Sequence, residues 1–344
     1  MKTYGQWVGW NDANEVLARR QSPAELERLG RAWHYAALRH AGQRRPAGEP
    51  YVCHLLQVVE IMAIELDITD TDLLVAGLLH DVVEDTDGTQ ADIVARFGQR
   101  TADLVAHVTM PDVLPGQSKG AVREAYLDGL RDAPADVLKL KLSDRYSNVQ
   151  RLHTHPRVTK QRSYYAETVE RFVPLAVVDA KLSDLFETWA ESYDYLMAPV
   201  DTLGSVEKLA AALHREQIDK SGVPYVEHVL ATAAIAKRDG ASEHQQLAGL
   251  LHDAVEDTSC TLEQLQDLGV PGSVVELVDA LTHRADESQE QYLARLARTP
   301  GAVLVKRADI EHNCSPARLQ NLDAVTQERL RVGYSKALEV LANT

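Results

Sequence analysis

The stretch Ala76-Gly77-Leu78-Leu79-His80-Asp81-Val82-Val83-Glu84-Asp85-Thr86 sets four ionisable side chains into an otherwise apolar segment. Burying that many charge-capable groups is costly unless they are paired or hold a metal ion. On a continuous helix, the spacing stacks His80 over Glu84 and Asp81 over Asp85, one polar face on a buried rod. The same stretch returns as Ala248-Gly249-Leu250-Leu251-His252-Asp253-Ala254-Val255-Glu256-Asp257-Thr258. A chain that carries this segment twice must solve the same burial problem twice.

The repetition extends beyond that segment. His40, Gln43, Gly48, Pro50, Tyr51, Val52 and His54 recur in order as His214, Gln217, Gly222, Pro224, Tyr225, Val226 and His228. Further on, Tyr126-Leu127 answers Tyr292-Leu293, and Lys141, Asp144 and Asn148 answer Lys306, Asp309 and Asn313. The spacing before this last group is shorter in the second half, where the Pro/Gly loop of residues 111–120 is reduced. Loss in a loop with the charged positions kept in order is the pattern of a duplicated domain. We therefore expect an arm over residues 1–22, a first domain over 23–200 and a second over 201–344.

Helical periodicity runs through both halves, with Ser22-Pro23 and Glu25 as one well-formed helix start. One helix is expected over Tyr51–Leu66, another from about Thr69 to Thr86, and others at Gln90–Phe97, Asp103–Val108, Ala121–Leu130 and Ala135–Leu152. No segment alternates with period two between turn signals, so the fold class is all-α, two tandem helical bundles. A net charge of −15 with no long basic run argues against nucleic acid and anionic membranes as partners. No apolar run approaches a bilayer span, no signal peptide is evident, and three cysteines without CxxC spacing point to a reduced, cytoplasmic protein.

A lone buried His–Asp pair is usually a satisfied core pair. Two histidines and two aspartates drawn from three helices, and written twice, point instead to a metal centre. Such a mixed nitrogen and oxygen set suits Mn²⁺, Fe²⁺ or Zn²⁺ and leaves room for water and a phosphate oxygen. Glu84 and Asp85, with Glu256 and Asp257, lie one turn further on and are candidates to orient or deprotonate water. Asn148 and Asn313 follow the last aspartates by one turn and bring hydrogen bonds without charge. Arg45, Arg145 and Lys220 are candidates for phosphate contact, with Ser221 beside Lys220.

These motifs resemble the HD-domain metal-dependent phosphohydrolases. More narrowly, Gly42-Gln43, Gly48-Glu49-Pro50-Tyr51 with His54, His80-Asp81-Val82-Val83-Glu84-Asp85-Thr86, and Lys141-Leu142-Ser143-Asp144-Arg145-Tyr146-Ser147-Asn148 look like the hydrolase domain of the Rel/Spo alarmone proteins. The resemblance implies an HD fold, usually with Mn²⁺, that removes the 3′-pyrophosphate of guanosine tetra- or pentaphosphate. By position it makes His54, His80, Asp81 and Asp144 metal ligands, with His228, His252, Asp253 and Asp309 in the second repeat. Where the family has Arg-Lys-Ser before Gly-Glu-Pro-Tyr, this chain has Arg45-Pro46-Ala47 and Asp219-Lys220-Ser221, and Ile310 stands where the first repeat has Arg145. Two other readings stay open: a phosphatase of another nucleotide or phosphorylated metabolite, and a nucleotide-binding regulator without turnover at one or both sites. The duplication is compatible with a monomer, its halves forming a pseudo-dimer, or with a homodimer.

Overall fold

The computed structural model describes residues 1–220, 222–299, 301–320 and 323–342. It divides into two units, one of Met1–His155 with Ser163–Glu191 and one of Pro156–Arg162 with Ser192–Thr344. Among the described residues the structure is helical, without strands beyond the isolated bridges Arg44–Pro50 and Ile218–Pro224. Among the described residues, no helix is long and apolar enough to cross a membrane.

Each unit is built around one central helix whose C-terminal half is apolar and buried. In unit 1 this is Thr71–Leu79, whose residues are buried apart from Asp72. A helix of that kind needs neighbours all round. Pro23–Arg39, Val52–Glu60, Gln99–Val108 and Ala135–Val149 pack against it. In unit 2 the central helix is Glu243–Leu251, surrounded by Leu203–Leu213, Val226–Arg238, Gly272–Leu281 and Ala302–Asn313. The two bundles therefore use the same order of elements. Glycine brings the helices close: a Cβ on Gly77 would stand 3.2 Å from Val59, and one on Gly249 would stand 3.2 Å from the Ala233 backbone.

The expected starts and stops recur where the chemistry is local. Ser22 and Glu25 form a capping box at Pro23–Arg39, and Gln90–Phe97 ends at Gly98, whose φ of 89° favours glycine. Three expectations need correction. The helix expected through Thr86 breaks at His80-Asp81, and only a short turn, Val82–Asp85, follows. The helix of Tyr51–Leu66 widens after Glu60 into a π-helical turn over Ile61–Glu65. Residues 1–22 contain a helix, Trp10–Leu17, which buries Ala13 and Leu17. Its neighbours Tyr4 and Trp7 are also buried in unit 1, where the Tyr4 amide donates to Gln150 Oε1 at 2.6 Å.

Arg145 is 6% exposed, and it ties residues 163–172 to the helix Ala135–Val149. Its guanidinium pairs with Glu167 at 2.9 Å and donates to Thr168 Oγ1 at 2.8 Å and the Tyr164 carbonyl at 3.0 Å. Burial raises the Glu167 pKa, but Arg145 and Arg123 outweigh it and hold this carboxyl below its ordinary value. Glu167→Ala should cost roughly 3 kcal/mol at neutral pH, the low end for a broken buried pair, because Arg145 keeps its other two acceptors. The pair contributes fully above the unfolded carboxyl pKa of about 4.3 and is lost as pH falls through the lower folded value, so the deficit should shrink in acid. Urea unfolding at a series of pH values checks this; a neutral-pH deficit within 0.5 kcal/mol of zero would contradict it.

Candidate metal centres

The helix break is what makes His80 and Asp81 converge. His80 closes Thr71–Leu79, and its Nδ1–H donates to the Gly77 carbonyl at 2.8 Å, turning the ring toward the helix axis end. Asp81 leaves the helical path at φ −98°, ψ −3°, and its Oδ2 comes within 2.9 Å of His80 Nε2. His54 arrives from Val52–Glu60 with its Nε2 3.2 Å from His80 Nε2, 3.5 Å from Asp81 and 3.3 Å from Asp144 Oδ1. His80 Nε2 and Asp144 Oδ1 are 3.6 Å apart. Both imidazoles are almost fully buried.

Unit 2 repeats the arrangement. His252 Nδ1–H donates to the Gly249 carbonyl at 2.8 Å, and its Nε2 lies 3.0 Å from Asp253 and 3.7 Å from Asp309 Oδ1. His228 Nε2 lies 3.5 Å from Asp253 and 3.3 Å from Asp309. These separations are informative. Donor atoms about 2.1 Å from one centre stand about 3.0 Å apart at a right angle and about 3.4 Å apart at the tetrahedral angle. The observed spacings fall in and around that window.

A carbonyl only accepts, so His80 and His252 each carry a proton on Nδ1 and turn Nε2 toward carboxylates, where it can hold either a second proton or a metal ion. His252 Nε2 is buried with no hydrogen-bond partner. Such a face calls for a positive charge. With only protons available, burial opposes charge on His252, yet Asp253 and Asp309 outweigh it and push its pKa up to about 10. His80 is likewise raised, by Asp81 and Asp144 against burial. The donor set thus fits a divalent cation in each unit.

Surrounding groups fix the ligands. His54 Nδ1–H donates to Ser147 Oγ at 2.9 Å, because Ser147 spends its own proton on Gln57 Oε1 at 2.8 Å. Gln57 Oε1 also accepts from Arg45 at 3.1 Å. In unit 2, His312 replaces Ser147. Its Nδ1 lies 3.2 Å from the Arg318 guanidinium, which can only donate, and 2.7 Å from His228 Nδ1. The one Nδ1 lone pair of His312 is therefore turned to Arg318 and His228 alike, which orients the His228 ring. Arg318 is in turn paired with Asp219 at 3.1 Å. The Tyr51 hydroxyl lies 2.6 Å from Asp81 Oδ2 and 2.9 Å from Asp85 Oδ2, its one proton shared between them, while Tyr225 donates to Asp253 at 2.7 Å. Lys141 and Lys306 hold the outer oxygens of Asp144 and Asp309 at 3.0 and 2.7 Å, and Asn148 and Asn313 donate to the inner ones at 2.7 and 2.6 Å.

The remaining expected residues fall in several places. Arg45 and Asn148 line a cavity of about 260 Å³ beside the first centre, together with Arg44, Tyr51 and Arg151. Lys220 and Asn313 line one of about 380 Å³ beside the second, with Tyr225, Asp257 and Arg318. Arg145 is not among these lining groups, because its guanidinium is turned to Glu167. Ser221 lies outside the described residues. Glu84 and Glu256 each accept a backbone amide through Oε2, from Met110 at 3.0 Å and from His283 at 2.8 Å. Tyr51, Tyr225, Lys141 and Lys306 were visible only as repeated residues. His312 and Arg318 carried no motif at all.

Comparison with known proteins follows this geometry. The HD-domain family model matches residues 32–178 and again 207–307, and the chain belongs to that family. A guanosine-3′,5′-bis(diphosphate) 3′-pyrophosphohydrolase of Aquifex aeolicus is 37% identical over 175 residues, 50% of this chain and 25% of that protein. The bifunctional (p)ppGpp synthase/hydrolase SpoT of Escherichia coli K12 is 35% identical over 169 residues, 47% of this chain and 23% of that protein. The matched stretch spans about a quarter of the length of these relatives. A solved structure described as a metazoan ortholog of SpoT that hydrolyses ppGpp is 28% identical and covers 47% of this chain and 93% of its own, at a TM-score of 0.44.

Groups that hold a ligand histidine in one tautomer are worth about 10–100-fold in metal affinity. Ser147→Ala should weaken Mn²⁺ at the first centre by that factor, and Arg318→Ala should do so at the second, each leaving the other centre unchanged. Mn²⁺ titration followed by electron paramagnetic resonance reads this, and two variants with parental affinities at both centres would contradict it.

Proposed function

We propose that the chain is a metal-dependent phosphohydrolase and that its first centre hydrolyses the 3′-pyrophosphate of guanosine 3′,5′-bis(diphosphate). The observation that carries this reading is the bare-nitrogen and carboxylate cluster His54, His80, Asp81 and Asp144 opening beside a cavity lined by Arg44, Arg45 and Asn148. The names of the relatives support the substrate. A divalent cation, Mn²⁺ in our reading, supplies polarisation of a phosphoryl oxygen and activation of water when bound.

The chain's own residues do the rest. Arg45, held by Glu49 at 2.9 Å and by the Asn148 side-chain oxygen at 3.1 Å, presents a pre-oriented guanidinium to the nucleotide's phosphates. Tyr51 stays a phenol, because burial and the nearby Asp81 and Asp85 raise its pKa, so it serves as a fixed donor between those carboxylates. Asp85, with Glu84 beside it, would take the one proton released by the attacking water and pass it to the departing 3′-oxygen. The water oxygen bonds to phosphorus, the 3′-oxygen–phosphorus bond breaks, and guanosine 5′-diphosphate and pyrophosphate leave. We place the reaction in the cytoplasm and the chain as a monomer or homodimer.

Pyrophosphate release from guanosine tetraphosphate with added Mn²⁺ tests the reading. Asp81→Ala should lower the rate by at least about a hundredfold, while Asp253→Ala should leave most of it. Undiminished release by the double variant, or tight binding of the nucleotide with no release by the parent chain, would overturn the proposal.

A further inference from the structure

The two units treat one position beside the last aspartate differently. Arg145 follows Asp144, and in unit 1 it fills its surroundings with a paired guanidinium stacked 4.5 Å from the Phe172 ring. Ile310 follows Asp309, and in unit 2 it lines a cavity of about 620 Å³ instead. Leu293 forms another part of this apolar wall, and Leu330, Tyr334 and Ala337 contribute from the helix Ala324–Ala342.

This chamber borders the second metal centre. Glu256 and Lys306 both line it, and Lys306 Nζ is 2.7 Å from Asp309 Oδ2. Leu330 and Tyr334 also line the cavity of about 380 Å³ that holds Tyr225, Asn313 and Arg318. One centre is thus flanked by two hollows with a shared wall. The larger has the size and mostly apolar lining of a small-molecule site.

Its charges are nearly balanced. Its charged lining is Lys306, Arg329 and Lys336 with Glu256 and Glu290; Lys306 is committed to Asp309 and Lys336 faces Glu290 at 3.5 Å, so the apolar wall rather than a cluster of cations dominates the chamber. We propose that this chamber binds the aromatic or apolar body of a phosphate monoester whose phosphate sits at the second centre. This rests on the metal-centre reading above and assigns unit 2 a different substrate class from unit 1.

Binding to the full-length Asp81→Ala chain with Mn²⁺ tests it, using 1-naphthyl phosphate and methyl phosphate as probes followed by calorimetry. The naphthyl ester should bind at least about tenfold more tightly, since only it buries a ring. Ala337→Trp, which fills the chamber, should erase that preference while leaving methyl phosphate and Mn²⁺ affinity unchanged. Val340→Trp repeats the test from another wall should the first variant not fold. Equal affinity for the two esters, or a filled chamber that keeps the preference, overturns the proposal. A second centre that takes up Mn²⁺ but neither ester overturns it and leaves the metal centre standing; no Mn²⁺ uptake there overturns both.

Discussion

The hydrogen bond from His80 Nδ1 to the Gly77 carbonyl, with its counterpart from His252 to Gly249, is the constraint on which the rest depends. It puts the first ring proton on Nδ1, and so turns Nε2 inward as the atom that a metal ion or a second proton must occupy. It also closes the central helix one residue before Asp81. A straight helix would send neighbouring side chains about 100° apart. The broken one aims both at a common point, where His54 and Asp144 meet them.

A buried cluster of this kind demands a rigid frame, because bare nitrogens and carboxylates repel one another without a cation between them. The frame is the central helix, buried and apolar along its last turns and approached closely at Gly77 and Gly249. Around it, each ligand is held by a partner on another helix. Both units end this support in an arginine, reached by different routes: Arg45 through Gln57 and Ser147 to His54, and Arg318 through His312 to His228. Asp219, which stands in the position of Arg45, thus keeps a guanidinium near the second centre by pairing with one from Pro316–Leu319.

Much of the fold and of the clustering of the candidate ligands was legible because it depends on local rules. Apolar periodicity marks the bundle helices, Ser22 and Glu25 mark a start, and the repetition of His54, His80, Asp81 and Asp144 marks the residues that the fold brings together. The break at His80-Asp81 was not legible, because its cause is a side chain bonding back to its own helix while packing holds the neighbours. Arg145 looked like a phosphate contact for want of its partner, Glu167, whose proximity only tertiary structure supplies. His312 and Arg318 differ in type from anything in the first repeat, so a search for recurring residues passes over them. The helix Trp10–Leu17 was missed for its modest apolar content, with stability coming from burial of Ala13 and Leu17 in unit 1.

The most direct test of two equivalent centres is anomalous diffraction from crystals grown with Mn²⁺. Two peaks per chain are expected, each within roughly 2.0–2.3 Å of two imidazole Nε2 atoms and bound by two aspartates, one peak between His54 and His80 and the other between His228 and His252. Peaks on other groups, or none at either cluster with the imidazoles turned to carboxylates as hydrogen-bond donors, would contradict it.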